Sequence, residues 1–326
     1  MMTMTMVMGM GMGIDNSGTL KETHRMKILL ISGGSSRERA VSLVTSDNML
    51  RGLEEAGHEV TRVNVNDELE AVQHWNSTYD LMFLGLHGRR GEDGLLQSVL
   101  ECEGIPFTGA GSRASLLAFH KSAAKILFDQ QNIPTPTWQY FRHDVNSDLP
   151  GNDFEFPFVI KPDNEGSTMG LSIIRSEADL LPAGAVSGQY YHLLYEKFIP
   201  GRELTVGVLD GKALPIVEIF SGHELYDYES KYTHGASRYE VPAKLTETDM
   251  VTLKTLAEKA VKVLGVSVYA RVDFRFDPTG KPWCLEVNTL PGMTETSLLP
   301  MAAKAAGIPF PALLNSIAEL SLNKSR

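Results

Sequence analysis

The run from Arg271 to Leu298, RVDFRFDPTGKPWCLEVNTLPGMTETSL, limits the fold of this chain more than any other stretch. Val272, Phe274 and Phe276 alternate with Arg271, Asp273 and Arg275, and Leu285 and Val287 alternate with Glu286 and Asn288. Period-two alternation is the pattern of a strand with one face buried. Between the halves, Asp277-Pro278-Thr279-Gly280 puts proline second and glycine fourth, as a tight turn prefers. The halves read as a hairpin with Asp273 opposite Glu286, Asn288 two residues further along that face, and Arg271 nearby. Two carboxylates and an amide are hard oxygen donors of the kind Mg²⁺ takes, although an ordinary cross-strand salt-bridge face has the same composition. The sequel favours the metal: Asn288 leads straight into Thr289-Leu290-Pro291-Gly292-Met293-Thr294, a tight loop that a surface hairpin does not need.

With 326 residues, 43% of them hydrophobic, the chain can hold two or three domains around a substantial core. A net charge of −10 without a basic run argues against nucleic acid as a partner. Cys102 and Cys284 lie far apart, with no Cys-x-x-Cys and no zinc-type histidine spacing, so they read as thiols of a reducing cytoplasm. No apolar run approaches the roughly 20 residues that span a bilayer, so no membrane is expected. Residues 1–25 open as MMTMTMVMGMGMG, without the basic start of a secretory signal. They read as a disordered low-complexity tail, or as sequence upstream of a true start at Met26.

From Lys27 the pattern becomes regular. Ile28 to Ile31, Val60 to Val65 and Leu81 to Leu86 read as strands, with a helix carrying Leu43, Leu50 and Leu53 between the first two. This βα beginning predicts a parallel sheet. Gly33-Gly34 at the first strand-to-helix turn is weak evidence for phosphate binding by itself. Glu38 just beyond it can equally complement the helix dipole. His87-Gly88-Arg89-Arg90-Gly91-Glu92-Asp93-Gly94 follows the third strand as a polar loop. Further on, a helix carries Lys121 and Lys125, and a strand delivers Lys161 into Asp163-Asn164-Glu165-Gly166-Ser167-Thr168-Met169-Gly170. Lysine beside small residues can hold a triphosphate, though a flexible surface turn has the same make-up. Leu193 to Ile199 is a strand with charged Glu196-Lys197 at its centre, and Glu203 to Ile219 a hairpin turning at Asp210-Gly211. A helix with Leu253, Leu256, Ala257, Ala260, Val261 and Leu264 on one face starts near Thr246 and stops at Gly265. There is no Walker A sequence and no kinase signature.

Pro291-Gly292-Met293-Thr294 with Ser297-Leu298 resembles the C-terminal signature of the ATP-grasp ligases, the D-alanine:D-alanine ligase branch in particular. Gly33 to Ser42, His87 to Gly94, Lys161 to Gly170 and Tyr228-Glu229-Ser230-Lys231-Tyr232 are similar to further motifs of that family, and the resemblance runs from about Met26 to Leu320. Ala40 stands where the family often has an acidic residue. The resemblance implies an α/β ATP-grasp fold of three α/β domains, with an N-terminal parallel-sheet domain and ATP held between the central and C-terminal domains. The expected divisions are 1–25 tail, 26–112 N-terminal substrate-binding domain, 113–199 central domain and 200–326 catalytic domain.

It further implies ligation of two D-alanines through a D-alanyl phosphate to give D-alanyl-D-alanine, ADP and phosphate for peptidoglycan precursors. Mg²⁺, replaceable by Mn²⁺, would sit on Asp273, Glu286 and Asn288. Glu38 would meet the first D-alanine's ammonium, with Ser167 and Tyr232 completing its hydrogen-bonded set and His87 in support. Arg271 and the Gly292 N–H would hold the oxyanion, and Ser297 with Leu298 the second substrate's carboxylate. ATP would be held by Lys121, Lys161, Ser167, Thr168 and Lys231 at its phosphates, by Glu196, Lys197, Phe198 and Ile199 at adenine, and by Glu203 at ribose. A homodimer is the family's expectation. Two alternatives stay open: a related ligase using D-serine, D-lactate or another amino acid, with Tyr232 arguing against D-lactate, and a catalytically silent ATP-binding module. His234 has no assigned role.

Overall fold

The structure, a computed structural model, describes residues 11–14, 20–23, 25–145, 147–151, 153–166, 169–221 and 237–324. Within the segment expected to be a disordered tail, β1 (Gly11–Ile14) and β2 (Leu20–Thr23) pair antiparallel. The N-terminal unit follows as β3 (Lys27–Gly33), α1 (Arg39–Glu55), β4 (Glu59–Val65) and β5 (Leu81–Leu84), a parallel sheet in the order β4-β3-β5. Ile28, Leu29, Leu30 and Ile31 are all fully buried, as befits a middle strand covered on both faces.

After α2 (Leu95–Cys102), α3 (Ser112–Phe119) and α4 (Lys121–Gln130), the chain builds an antiparallel sheet in the order β6-β9-β7-β8. Its strands are β6 (Trp138–Arg142), β7 (Phe158–Pro162), β8 (Ser172–Ile174) and β9 (His192–Lys197), with α5 (Leu180–Ser187) before the last. A third sheet, β13-β12-β10-β14-β15, comprises β10 (Arg202–Leu209), β12 (Val217–Ser221), β13 (Ser237–Glu240), β14 (Tyr269–Phe276) and β15 (Pro282–Asn288). The short β11 (Lys212–Ala213) pairs with β10 across Asp210-Gly211, whose φ angles of 50° and 70° are the two positive values that a tight hairpin turn requires. Helix α6 (Glu247–Leu264) is bounded as its sequence predicts: Thr246 accepts from the Asp249 N–H at 3.2 Å, and Gly265 ends it at φ 71°.

Besides the β1–β2 pair, the sheets occupy residues 27–84, 138–197 and 202–288 in turn, and helices pack from one to another. Ala114, Ala118, Ala124 and Phe128 of α3 and α4 share a core with Leu253 of α6 and Phe274 of β14. Helix α7 (Leu298–Ala305) packs on β10, and the last helix, α8 (Phe310–Asn323), returns to bury Leu313, Leu314 and Ile317 with Ile28 to Ile31 of the N-terminal unit. No single helix among the described residues is long and apolar enough to cross a membrane.

Candidate active site

The hairpin forms as β14 and β15, with Asp273 opposite Glu286 and Arg271 opposite Asn288. The alternation expected through Leu285 is corrected by a bulge beside Asp273, which pairs Phe274 with Cys284 and leaves Leu285 without a partner residue in the ladder. Cys284 rather than Leu285 therefore fills the core position next to Phe274, both fully buried. On the opposite face Arg271 grips Asp273 with two parallel bonds, Nε to Oδ1 and Nη2 to Oδ2, each 2.9 Å, and Thr205 Oγ1 donates to Asp273 Oδ1 at 2.6 Å. Asn288 Oδ1 accepts from the Leu290 N–H at 3.0 Å, which starts the loop into Gly292. Among the described residues no three His, Cys, Asp or Glu side chains converge on one point. The oxygen set on this face is two carboxylates and the Asn288 amide, a donor chemistry that fits a hard cation with water and phosphate completing its shell.

Helix α4 turns two lysines inward, and one of them, Lys121, lines the site. The helix's buried residues are Lys121, Ala124, Lys125 and Phe128, so both ammonium groups lie on the apolar face. Asp163, just past β7, docks the start of this helix. Its carbonyl accepts from Lys121 N at 3.0 Å, Oδ1 accepts from Ser122 N at 2.7 Å, and His120 Nδ1 lies 3.1 Å from Oδ2. Burial pushes the Asp163 carboxyl up, but the bonds from His120 and Ser122 outweigh it and hold the group below its ordinary value. Lys121 Nζ then lies 3.2 Å from Glu286 Oε2 and donates to the Glu165 carbonyl at 2.8 Å. Burial opposes its charge, yet the Glu286 carboxylate, with Asp163 and Glu196, raises its pKa overall. Lys161 Nζ donates to Glu196 Oε1 at 2.5 Å, while Lys125 Nζ lies 2.9 Å from Glu196 Oε2. Burial is the main force lowering the Lys161 pKa.

The N-terminal unit supplies the opposite wall. Gly33 and Gly34 have φ of 95° and 90°, and a Cβ on Gly33 would sit 2.4 Å from the Val65 carbonyl oxygen, so only glycine lets the chain turn this close to β4. Ser35 is fixed by Glu68, which accepts from its N–H at 2.8 Å and its hydroxyl at 2.9 Å. Ser36 Oγ donates to the His87 carbonyl at 2.7 Å, tying the two polar loops together. His87 is buried between Glu92 Oε1 and Thr45 Oγ1, each 3.3 Å from a ring nitrogen. Glu38, His87, Lys121, Arg271, Glu286 and Gly292 thereby line one cavity, with Asn288 beside them. Ser297 accepts from the Thr294 N–H at 3.0 Å, lies beside Gly292 and stands at the N-cap of α7, which begins at Leu298.

Other expected residues lie elsewhere. Glu196 does not present its carboxylate to an open edge but spends it on two lysines, which leaves its backbone for any adenine contact. Lys197 and Phe198 border a second cleft walled by Trp138, Phe154 and Phe156. Glu203 pairs with Arg275 at 3.2 Å, and Arg275 also donates to the Ile199 carbonyl at 3.0 Å. Ser167, Thr168, Lys231, Tyr232 and His234 lie outside the described residues. Lys125 and Asp163 were given no role from the sequence, and Glu68 was not named. Lys125 carried a legible signal, since it repeats Lys121 at a spacing of four on an otherwise apolar helix face.

A parallel α/β unit, two antiparallel sheets, and lysines facing carboxylates across one cavity define an enzyme of the ATP-grasp class. Residues 127–319 match the family described as D-ala D-ala ligase C-terminus. The chain belongs to the D-alanine–D-alanine ligase family: it is 44% identical to the D-alanine–D-alanine ligase of Methylacidiphilum infernorum over 90% of this chain and 95% of that one. It is 42% identical to that of Syntrophotalea carbinolica, over 93% of this chain and 99% of the relative. The crystal structure of the Bacillus anthracis D-alanine–D-alanine ligase complexed with ATP has a TM-score of 0.79 to this fold at 32% identity, covering 91% of this chain and 97% of that one.

Proposed function

We propose that this chain joins two D-alanine molecules at the expense of ATP, giving D-alanyl-D-alanine, ADP and phosphate for peptidoglycan precursors. The observation that carries the reading is the single cavity that brings Glu38, Arg271, Lys121 and Glu286 together from three parts of the chain. Hydroxide is too poor a leaving group for a carboxylate to accept an amine in water. Transfer of the ATP γ-phosphoryl group to the first D-alanine carboxylate replaces it with phosphate. Glu38 receives the first substrate's ammonium, and Ser297 with the Leu298 N–H receives the second substrate's carboxylate at the α7 N-terminus. When the second amine attacks, Arg271 and the Gly292 N–H offset the charge on the tetrahedral oxygen.

Asp273, Glu286 and Asn288 are the residues that would hold Mg²⁺, which supplies charge neutralisation for the transferring phosphoryl group. Lys121 and Lys161 face the phosphates, joined by Ser167, Thr168 and Lys231. The backbone from Glu196 to Ile199 receives adenine, Glu203 receives ribose, and Tyr232 with Ser167 completes the hydrogen-bonded set around Glu38. The regions 26–112, 113–199 and 200–326 act as substrate, nucleotide and catalytic units of a cytoplasmic homodimer. An exposed Cys102 and a buried Cys284, both free thiols, agree with a reducing compartment.

The test is mass spectrometry of the product, with phosphate release, after incubation with ATP, Mg²⁺ and an equal mixture of D-alanine, D-serine and D-lactate. D-alanyl-D-alanine as main product is expected. A different condensed product moves the function to a sister ligase, and silence on both readouts overturns the ligase reading.

A further inference from the structure

Lys125 has no place in the chemistry above, yet it is a lysine with no exposed surface at all. Its ammonium has two partners, Glu196 Oε2 at 2.9 Å and Thr135 Oγ1 at 2.5 Å. Thr135 in turn donates to the Cys284 carbonyl of β15 at 2.8 Å, so Lys125 is anchored from both sides and has no route outward. Lys161 differs. It sits at the end of β7, next to the loop that begins at Asp163, and shares with Lys125 the one carboxylate of Glu196. Two cations over one anion leave this buried group with a net charge of one plus.

A lysine that pairs with a buried glutamate can serve a phosphate only if the glutamate is not stranded when it leaves, because an uncompensated buried carboxylate is strongly unfavourable. We propose that Lys125 is a positioning residue for the nucleotide: it supplies the counter-charge that stays with Glu196 while Lys161 turns to the ATP phosphates. This rests on the reading of Lys161 as a phosphate ligand. Burial pushes the Lys161 ammonium down, Glu196 opposes that push and the Lys125 charge adds to it, so an arriving polyanion meets a cation whose one carboxylate is already shared with Lys125.

The test is ATP binding by calorimetry without D-alanine, alongside steady-state kinetics and thermal unfolding, for Lys161→Met, Lys125→Met and the double variant Lys125→Met/Glu196→Gln. Lys125→Met leaves Lys161 as the only cation for Glu196. It is expected to weaken ATP binding about tenfold or more and to raise the KM for ATP but not for D-alanine, the scale of a locked buried ion pair. The double variant restores the net charge of one plus with Lys161 free, and is expected to recover ATP affinity to within about threefold of the parent. If the lysine stem mattered only for packing, the double variant would bind ATP as poorly as the single one, and the proposal would fall. If Lys161→Met loses affinity and Lys125→Met does not, the Lys125 role is wrong and the Lys161 assignment stands. No loss in either overturns both. If Lys125→Met does not fold, Lys125→Gln is read in its place: it removes the charge but keeps a polar donor for Thr135, and an ATP affinity equal to the parent's then counts against the proposal.

Discussion

Lys121 Nζ lies 3.2 Å from Glu286 Oε2, joining the helix before the central sheet to the edge strand of the C-terminal sheet. Glu286 therefore has a protein cation on one side and the cavity on the other, and its charge serves both. Replacing Glu286 with Gln keeps the shape and removes the charge. The expected result is loss of metal-dependent phosphate release by about 10²-fold or more with the fold retained, the buried Lys121 losing its carboxylate at some cost in melting temperature. Full turnover in that variant would show that the metal is held elsewhere.

Arg271 grips Asp273 through two parallel bonds that a lysine cannot reproduce. Arg271→Lys is expected to lower kcat by about 10²-fold while leaving the KM for ATP near the parent's, if the proposed role of the lost donor on the oxygen formed during amine attack holds. A rise in the ATP KM with kcat unchanged would place Arg271 on the nucleotide instead.

Asp163 gives a prediction on the pH axis. Its folded pKa is depressed, so its contribution to stability is fully present above the unfolded value near 3.9 and is lost as the pH falls below that towards the folded value. Asp163→Asn should cost about 1–2 kcal/mol at pH 7, the scale of a helix cap with a charged acceptor. In urea titrations across pH, the gap between parent and variant should close below about pH 4. A gap that widens on acidification would mean that the carboxylate is not what docks α4.

Gly33→Ala should destabilise by about 1–3 kcal/mol, because the residue sits at φ 95° and the added carbon would meet the Val65 carbonyl. The same change tilts the loop that carries Glu38, so the KM for the first D-alanine should rise while ATP affinity measured alone stays level. An unaltered denaturation midpoint would contradict the backbone argument.

Much of this site could be read from local pattern. The pairing of Asp273 with Glu286 follows from alternation and a turn, and the bounds of α6 follow from Thr246 and Gly265. The bulge at Leu285 did not, since nothing in period two announces an extra residue; Cys284 and Val287, three apart, had to be matched to Phe274 and Val272, two apart. Nor could pattern reveal that Glu196 lies between two lysines, because Lys125, Lys161 and Glu196 come from three elements that meet only in the folded chain. Helices α3 and α4 packing on the C-terminal sheet are a similar case: their small apolar residues suit several neighbours, and tertiary packing chooses.

Edge strands invite addition of further strands, and β15 ends its sheet. At Cys284, however, the outward N–H donates to the Pro134 carbonyl at 2.7 Å and the outward carbonyl accepts from Thr135. The connection into the central sheet thus caps the edge at Cys284 with one backbone and one side-chain bond, its Pro134 offering no N–H to continue a ladder. At Cys284, two residues from Glu286, the segment that anchors Lys125 therefore occupies the backbone groups that a swapped strand would need.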